Sequence, residues 1–174
     1  MMAVNAPQYP NGYGGATAPM PVIVARPDVQ LLDPEFLRRV KQLMRASVKA
    51  GHPVGIGGAG RTTEQQTALF LARHHESPSG SIQWNGKRWA LNAGAAPAAP
   101  PGLSYHEPTT PDGKALAADM VGDLVWLRGA CGWFGLREFS AVNGEGWHVQ
   151  PVEIPTSRSG YKSSMHPLPR WVKR

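Results

Sequence analysis

Three short stretches carry side chains whose types and order could do chemistry. Arg61 stands in Gly60-Arg61-Thr62-Thr63-Glu64-Gln65-Gln66, a cation at the mouth of an expected helix. Ser104 and His106 close Pro101-Gly102-Leu103-Ser104-Tyr105-His106, which leads on to Ala117-Ala118-Asp119. Glu145 and His148 bracket Glu145-Gly146-Trp147-His148. Two His and one Asp make a sufficient zinc set, because three protein ligands leave the fourth position open, as a catalytic site requires. A Glu three residues before a ligand His is well placed to take a proton from water and pass it to a leaving amine. An Arg can stabilise the oxyanion of a tetrahedral intermediate. Taken singly, each residue is ordinary. A lone His is usually a satisfied core or surface group, and an Arg before a helix is usually solvated. The order of the set carries the weight.

That order, Arg, Ser-x-His, Ala-x-Asp, Glu-x-Trp-His, resembles the zinc D-Ala-D-Ala carboxypeptidase family. Its relatives include D-Ala-D-Ala dipeptidases and the L-alanyl-D-glutamate endopeptidases of phage endolysins. The resemblance covers about residues 30–151 and includes Arg61-Thr62 with Gln66, Pro101 to His106, Ala117-x-Asp119 and Glu145-x-Trp147-His148. Carried over position by position, it implies that His106, Asp119 and His148 hold Zn2+. It further implies that Glu145 is the general base and acid, and that Arg61 polarises the carbonyl. Ser104 and Gln66 are expected at the substrate site, with Trp147 as a wall of the cleft. One departure stands out: the family places His and Asp seven positions apart, whereas His106 and Asp119 are thirteen apart. A six-residue insertion within Glu107–Lys114, rich in Pro, Thr and Gly, accounts for it as a loop. Asp112 competes for the ligand position, but only Asp119 has the Ala-x-Asp lead-in.

The elements that must position these residues read as an α+β domain, a small antiparallel sheet with flanking helices. Asp33-Pro34-Glu35 starts a helix with a capping Asp, a Pro where its missing N–H costs nothing, and an acid on the positive end. Phe36, Leu37, Val40, Leu43, Met44 and Val48 follow at helical spacing, with Arg38, Arg39, Lys41, Arg45 and Lys49 on the opposite, solvated face and Gly51 closing it. His52 to Gly58 reads as a short strand. Thr62 or Thr63 opens a second helix with a capping box to Gln65 or Gln66, and His74 and His75 end it, where a cation suits the dipole. Asn85-Gly86 between Ile82-Gln83-Trp84 and Arg88-Trp89-Ala90-Leu91 signals a hairpin. Residues 93–101 form an Ala/Pro loop. Asp123 caps a helical run from Leu124 to Cys131, and Trp147 to Val149 forms a last strand. Trp84, Trp89, Trp126 and Trp133 are expected to pack in the core or the hairpin.

Composition frames the whole. The chain has 174 residues with 41% hydrophobic and 17% charged, enough to bury one core, while 20 Gly and 17 Pro demand long loops or tails. The single Cys131 lies in an apolar run and reads as a buried thiol; it excludes a Cys-rich zinc module. No run approaches the length of a transmembrane helix, so no membrane partner is expected. The net charge is +6, but residues 152–174 hold Arg158, Lys162, Arg170, Lys173 and Arg174 against Glu153, while 28–151 is nearly neutral. No basic face interleaved with aromatics falls within 28–151, so nucleic acid is not an expected partner. The expected organisation is an extended Gly/Pro-rich arm (1–27), a zinc-peptidase domain (28–151) and an extended basic tail (152–174). Met1 to Met20 has neither the basic region nor the apolar run of a secretory signal. Together with the resemblance, this implies a bacteriophage product acting on bacterial peptidoglycan, as a virion tail component or as an endolysin held in the host cytoplasm until lysis. The two arms would then dock on tail proteins or wall polymers. The rival expectation is a tail protein that keeps the fold as a binding module without turnover.

Overall fold

The computed structural model describes residues 27–168. The expected arm therefore lies outside the described residues, apart from Pro27, which opens a 3-10 turn running to Leu31. Helix α1 (Pro34–Lys49) begins as its sequence dictates: the Asp33 carboxylate accepts from the amides of Glu35 (2.9 Å) and Phe36 (3.0 Å). Its apolar stripe, Phe36, Val40, Leu43 and Met44, is buried in the core. Ser47 joins the end of the helix to strand β1 (Val54–Gly58), donating to the Met44 carbonyl and accepting from the Val54 amide.

Helix α2 (Thr63–Arg73) opens with the capping box resolved as Thr62 and Gln65. Strands β2 (His74–Glu76), β3 (Ile82–Trp84) and β4 (Lys87–Leu91) form a three-stranded antiparallel sheet in the order β2-β4-β3. The β3–β4 turn is the expected Asn-Gly pair, with φ of 52° and 72°, the two positive values that a type I′ turn requires. Phe70 of α2 anchors this sheet, edge-on to Trp84 and Trp89 at 5.2 and 5.4 Å between centroids and stacked on His74 at 4.4 Å.

Beyond the loop 92–117 come β5 (Ala118–Gly122), α3 (Leu124–Ala130), a 3-10 turn (Cys131–Phe134), β6 (Leu136–Phe139), α4 (Ser140–Asn143) and β7 (Glu145–Pro151). With β1 they make a four-stranded antiparallel sheet in the order β1-β5-β7-β6. Leu116, Met120, Leu127, Leu136 and Val149 meet the stripe of α1 in one core, which also buries the Cys131 thiol. The fold class is α+β, as expected.

Four local expectations are corrected. Arg39 is buried rather than solvated, because Glu35 (3.0 Å), Glu153 (2.9 Å) and the Gly135 carbonyl (3.1 Å) satisfy its guanidinium. His74 and His75 belong to β2 instead of ending α2, since the chain turns extended there to pair with β4. Trp133 stands out from the surface at 63% exposure, carried on the 3-10 turn. The segment from 152 to 168 is part of the domain and not an extended tail: Ile154 is fully buried, and Tyr161 and Leu168 pack against the core.

Candidate metal centre

Two of the expected ligands face each other across the sheet. Asp119 on β5 and His148 on β7 are direct register partners, and opposed residues of an antiparallel pair share a face. His106 reaches them from the loop before β5. Its Nδ1 lies 2.7 Å from the Ala59 carbonyl, and its own carbonyl accepts from the Arg61 amide at 2.6 Å, so the β1–α2 junction grips it twice.

The donor atoms close a triangle. His106 Nε2 lies 3.2 Å from His148 Nδ1 and 3.3 Å from an Asp119 carboxylate oxygen, and that oxygen is 3.4 Å from His148 Nδ1. Zinc held tetrahedrally at its usual distances to N and O sets its ligand atoms about 3.3–3.5 Å apart. The triangle therefore has the edge of a zinc coordination tetrahedron. Among the described residues, this is the one group of three or more His, Cys, Asp or Glu side chains whose donor atoms converge.

The electrostatics suit the same occupant. Burial lowers the His106 pKa, against the opposing pull of Asp119, which keeps the ring neutral. A carbonyl only accepts, so the proton of the neutral ring sits on Nδ1 and the Nε2 lone pair points into the triangle. Burial alone would raise the Asp119 carboxyl, but the imidazoles of His106 and His148 set against it outweigh burial and hold the group well below the carboxylate range. Two imidazole nitrogens and a carboxylate converging this closely make a donor set for a cation. The residues fit zinc.

Of the remaining expected residues, Arg61 reaches a member of the triangle, Gln66 holds Arg61, and Ser104 bonds the backbone of His106. Arg61 is half-buried, with one guanidinium nitrogen 3.4 Å from the second Asp119 oxygen and the other donating to Gln66 at 2.8 Å. Burial works against its charge, and Asp119 opposes that effect. Gln66 is fully buried, with its oxygen taken by Arg61 and its amide nitrogen donating to the Ala99 carbonyl at 2.7 Å. The expectation that Gln66 touches substrate is corrected: it fixes Arg61 to the Ala/Pro loop. Ser104 is also buried, and its hydroxyl accepts from the His106 amide at 3.2 Å. It shapes the turn that delivers His106 and does not line an open cleft. Trp147 is exposed next to His148.

Glu145 opens β7. Between the partner pairs Phe139–Glu145 and Glu138–Val149, strand β6 advances one residue while β7 advances four. The irregularity frees Glu145 from the alternation that would otherwise send residues three apart to opposite faces. The inserted stretch after His106 folds as a closed turn, with Thr110 and Lys114 exchanging hydrogen bonds and Asp112 exposed at its tip. The choice between Asp119 and Asp112 falls to Asp119.

Two residues of this neighbourhood were not anticipated. Glu107, fully buried, accepts from the amides of Gly102 and Ser104, and Arg158 lies 3.5 Å from it. Glu107 adjoins a ligand in sequence, but its partner is fifty-one residues away, and no local pattern marks that pair.

No protein-family model matches the chain, and no curated protein matches it. Solved structures similar to it include VanYB in complex with D-alanine-D-alanine, at 20% identity over 70% of this chain and 71% of that one, with a TM-score of 0.47. A mutant of the vancomycin-resistance D,D-pentapeptidase VanY in complex with Zn(II) is similar at 20% identity, 70% and 72% coverage and a TM-score of 0.48. The LdcB LD-carboxypeptidase is similar at 22% identity, 70% and 65% coverage and a TM-score of 0.45.

Proposed function

We propose that this protein is a zinc-dependent peptidase that hydrolyses an amide bond in the peptide part of bacterial peptidoglycan, as a carboxypeptidase or an endopeptidase. The observation that carries the zinc reading is the donor triangle of His106, Asp119 and His148, with edges of 3.2, 3.3 and 3.4 Å. The substrate class rests on the motif order that the chain shares with peptidoglycan peptidases. For the setting we propose a phage tail component or endolysin, since phage endolysins are among the families that share this motif order.

When bound, zinc supplies Lewis-acid polarisation of the scissile carbonyl and acidification of water. Glu145 takes a proton from the attacking water as its oxygen bonds to the carbonyl carbon. The Arg61 guanidinium, held by Gln66, faces the negative charge that then develops on the carbonyl oxygen. Glu145 returns the proton to the amide nitrogen, and the carbon–nitrogen bond breaks. Trp147 stands exposed beside His148, where a peptide would pass.

Zinc content of the purified protein, followed by mass spectrometry of digested peptidoglycan, tests metal, turnover and bond together. Glu145→Ala is expected to abolish hydrolysis with zinc retained, and full activity in that variant would overturn the assignment. His148→Ala is expected to lose the metal. The alternative, a binding module without turnover, drew its support from the insertion after His106, and that loop leaves the triangle intact.

A further inference from the structure

His106 is the one ligand of the triangle that no strand holds. It sits in the loop between Pro101 and Ala117, and such a segment keeps its shape only where other groups satisfy its backbone. Arg158 supplies much of that satisfaction from a distant part of the chain. One guanidinium nitrogen donates to the Ser104 carbonyl at 2.8 Å and the other to the Pro108 carbonyl, two residues to either side of His106. The same guanidinium lies 3.5 Å from the buried Glu107 carboxylate, which itself accepts from the amides of Gly102 and Ser104. Tyr105 adds a second tie, donating its phenol to the Ser157 carbonyl at 3.2 Å and meeting Tyr161 edge-on.

We infer that Arg158 is a positioning residue for the metal centre, clamping the His106 loop from both sides so that Nε2 is aimed at Asp119 and His148. The 152–168 segment is thereby part of the zinc site without supplying a ligand. Loosening the clamp also disturbs Arg61, whose amide bonds to the His106 carbonyl at 2.6 Å. Groups that orient a ligand in this way typically matter about 10- to 100-fold in metal affinity.

The inference rests on the zinc reading, and its test separates the two. Zinc affinity is measured by competition with a chromogenic chelator for the wild type, Arg158→Gln, Arg158→Lys and Glu153→Gln. Arg158→Gln is expected to bind zinc about tenfold or more weakly, with Arg158→Lys in between. Glu153→Gln breaks a different tie of the same segment, to Arg39, and is expected to leave the affinity unchanged. Equal affinity in Arg158→Gln and wild type, or equal losses in the Arg158 and Glu153 variants, overturns the inference. If wild type itself binds no zinc, the zinc reading fails alone. The clamp is then read in the metal-free protein by hydrogen exchange, where the His106 amide, bonded to the Ser104 hydroxyl, should exchange faster in Arg158→Gln. Unchanged exchange there overturns the clamp. Should Arg158→Gln fail to fold by circular dichroism, Arg158→Lys carries the same comparisons.

Discussion

Gln66 shows how much one buried side chain can decide at this site. Both of its polar ends are engaged, so Arg61 has a fixed donor geometry on one nitrogen and Asp119 near the other. Gln66→Ala would leave Arg61 only the longer contact to Asp119. Misplacing a transition-state group by about an ångström costs on the order of 100-fold. The expected outcome is a kcat lowered about 10- to 100-fold with zinc content unchanged. Gln66→Glu keeps an acceptor for Arg61 and should retain more kcat than the alanine variant, although it sets an acceptor against the Ala99 carbonyl. Steady-state kinetics on a muropeptide substrate checks both, and an unaltered kcat in Gln66→Ala would remove the positioning role. The side-chain types at this centre were legible from sequence, because a motif order shared with a known family singled out His106, Asp119, His148 and Arg61, which the fold brings together. The division of labour was not legible. Whether Gln66 and Ser104 face a ligand or the protein depends on the Ala99 carbonyl and the His106 amide, which no spacing reveals.

At the scale of elements, helix α3 is held at its start by Asp123, whose carboxylate accepts from the Trp126 amide at 2.9 Å and pairs with His52 at 2.8 Å. The Trp126 amide does most to hold this carboxyl below its usual value of 3.8; slight burial opposes it and His52 assists. A carboxyl with a depressed folded pKa contributes stability above its unfolded value and loses it as pH falls through the folded one. Asp123→Ala should therefore cost about 1 kcal/mol at pH 7, the usual worth of such a cap. The difference from wild type should narrow as the pH drops below 3.8. Urea unfolding at pH 7 and in acid measures both, and a constant difference would exclude the cap as its source. Starts and turns like this one were readable because their chemistry is local: Asp33 before Pro34, Thr62 with Gln65, Asn85-Gly86. The end of α2 was not readable, because β2 exists only through its pairing with β4, more than a dozen residues on. Arg39 was misread for the same reason, its neutralising partner Glu153 being 114 residues away.

Over the whole molecule, the composition that suggested a free C-terminal arm does not hold for residues 152–168, while the N-terminal arm lies outside the described residues. Residues 152–168 are structural: Ile154 fills the core, Glu153 neutralises Arg39, and Arg158 holds the loop of a ligand. Part of the excess positive charge at this end is thus spent inside the fold. A chain ended at 151 would lose about 1.5–3 kcal/mol from Ile154 alone. It would also leave the buried Arg39 with Glu35 as its one acid, and removing a partner from a buried ion pair costs about 3–5 kcal/mol when nothing replaces it. Domains of this size hold about 5–15 kcal/mol in total. The chain ended at 151 is therefore expected to unfold, or to melt more than about 10 °C below the full chain, since 1 kcal/mol moves Tm by about 2–4 °C at this length. Thermal unfolding followed by circular dichroism compares the two. A chain ended at 151 that melts with the full one would restore the boundary read from composition and place the metal centre within 28–151 alone.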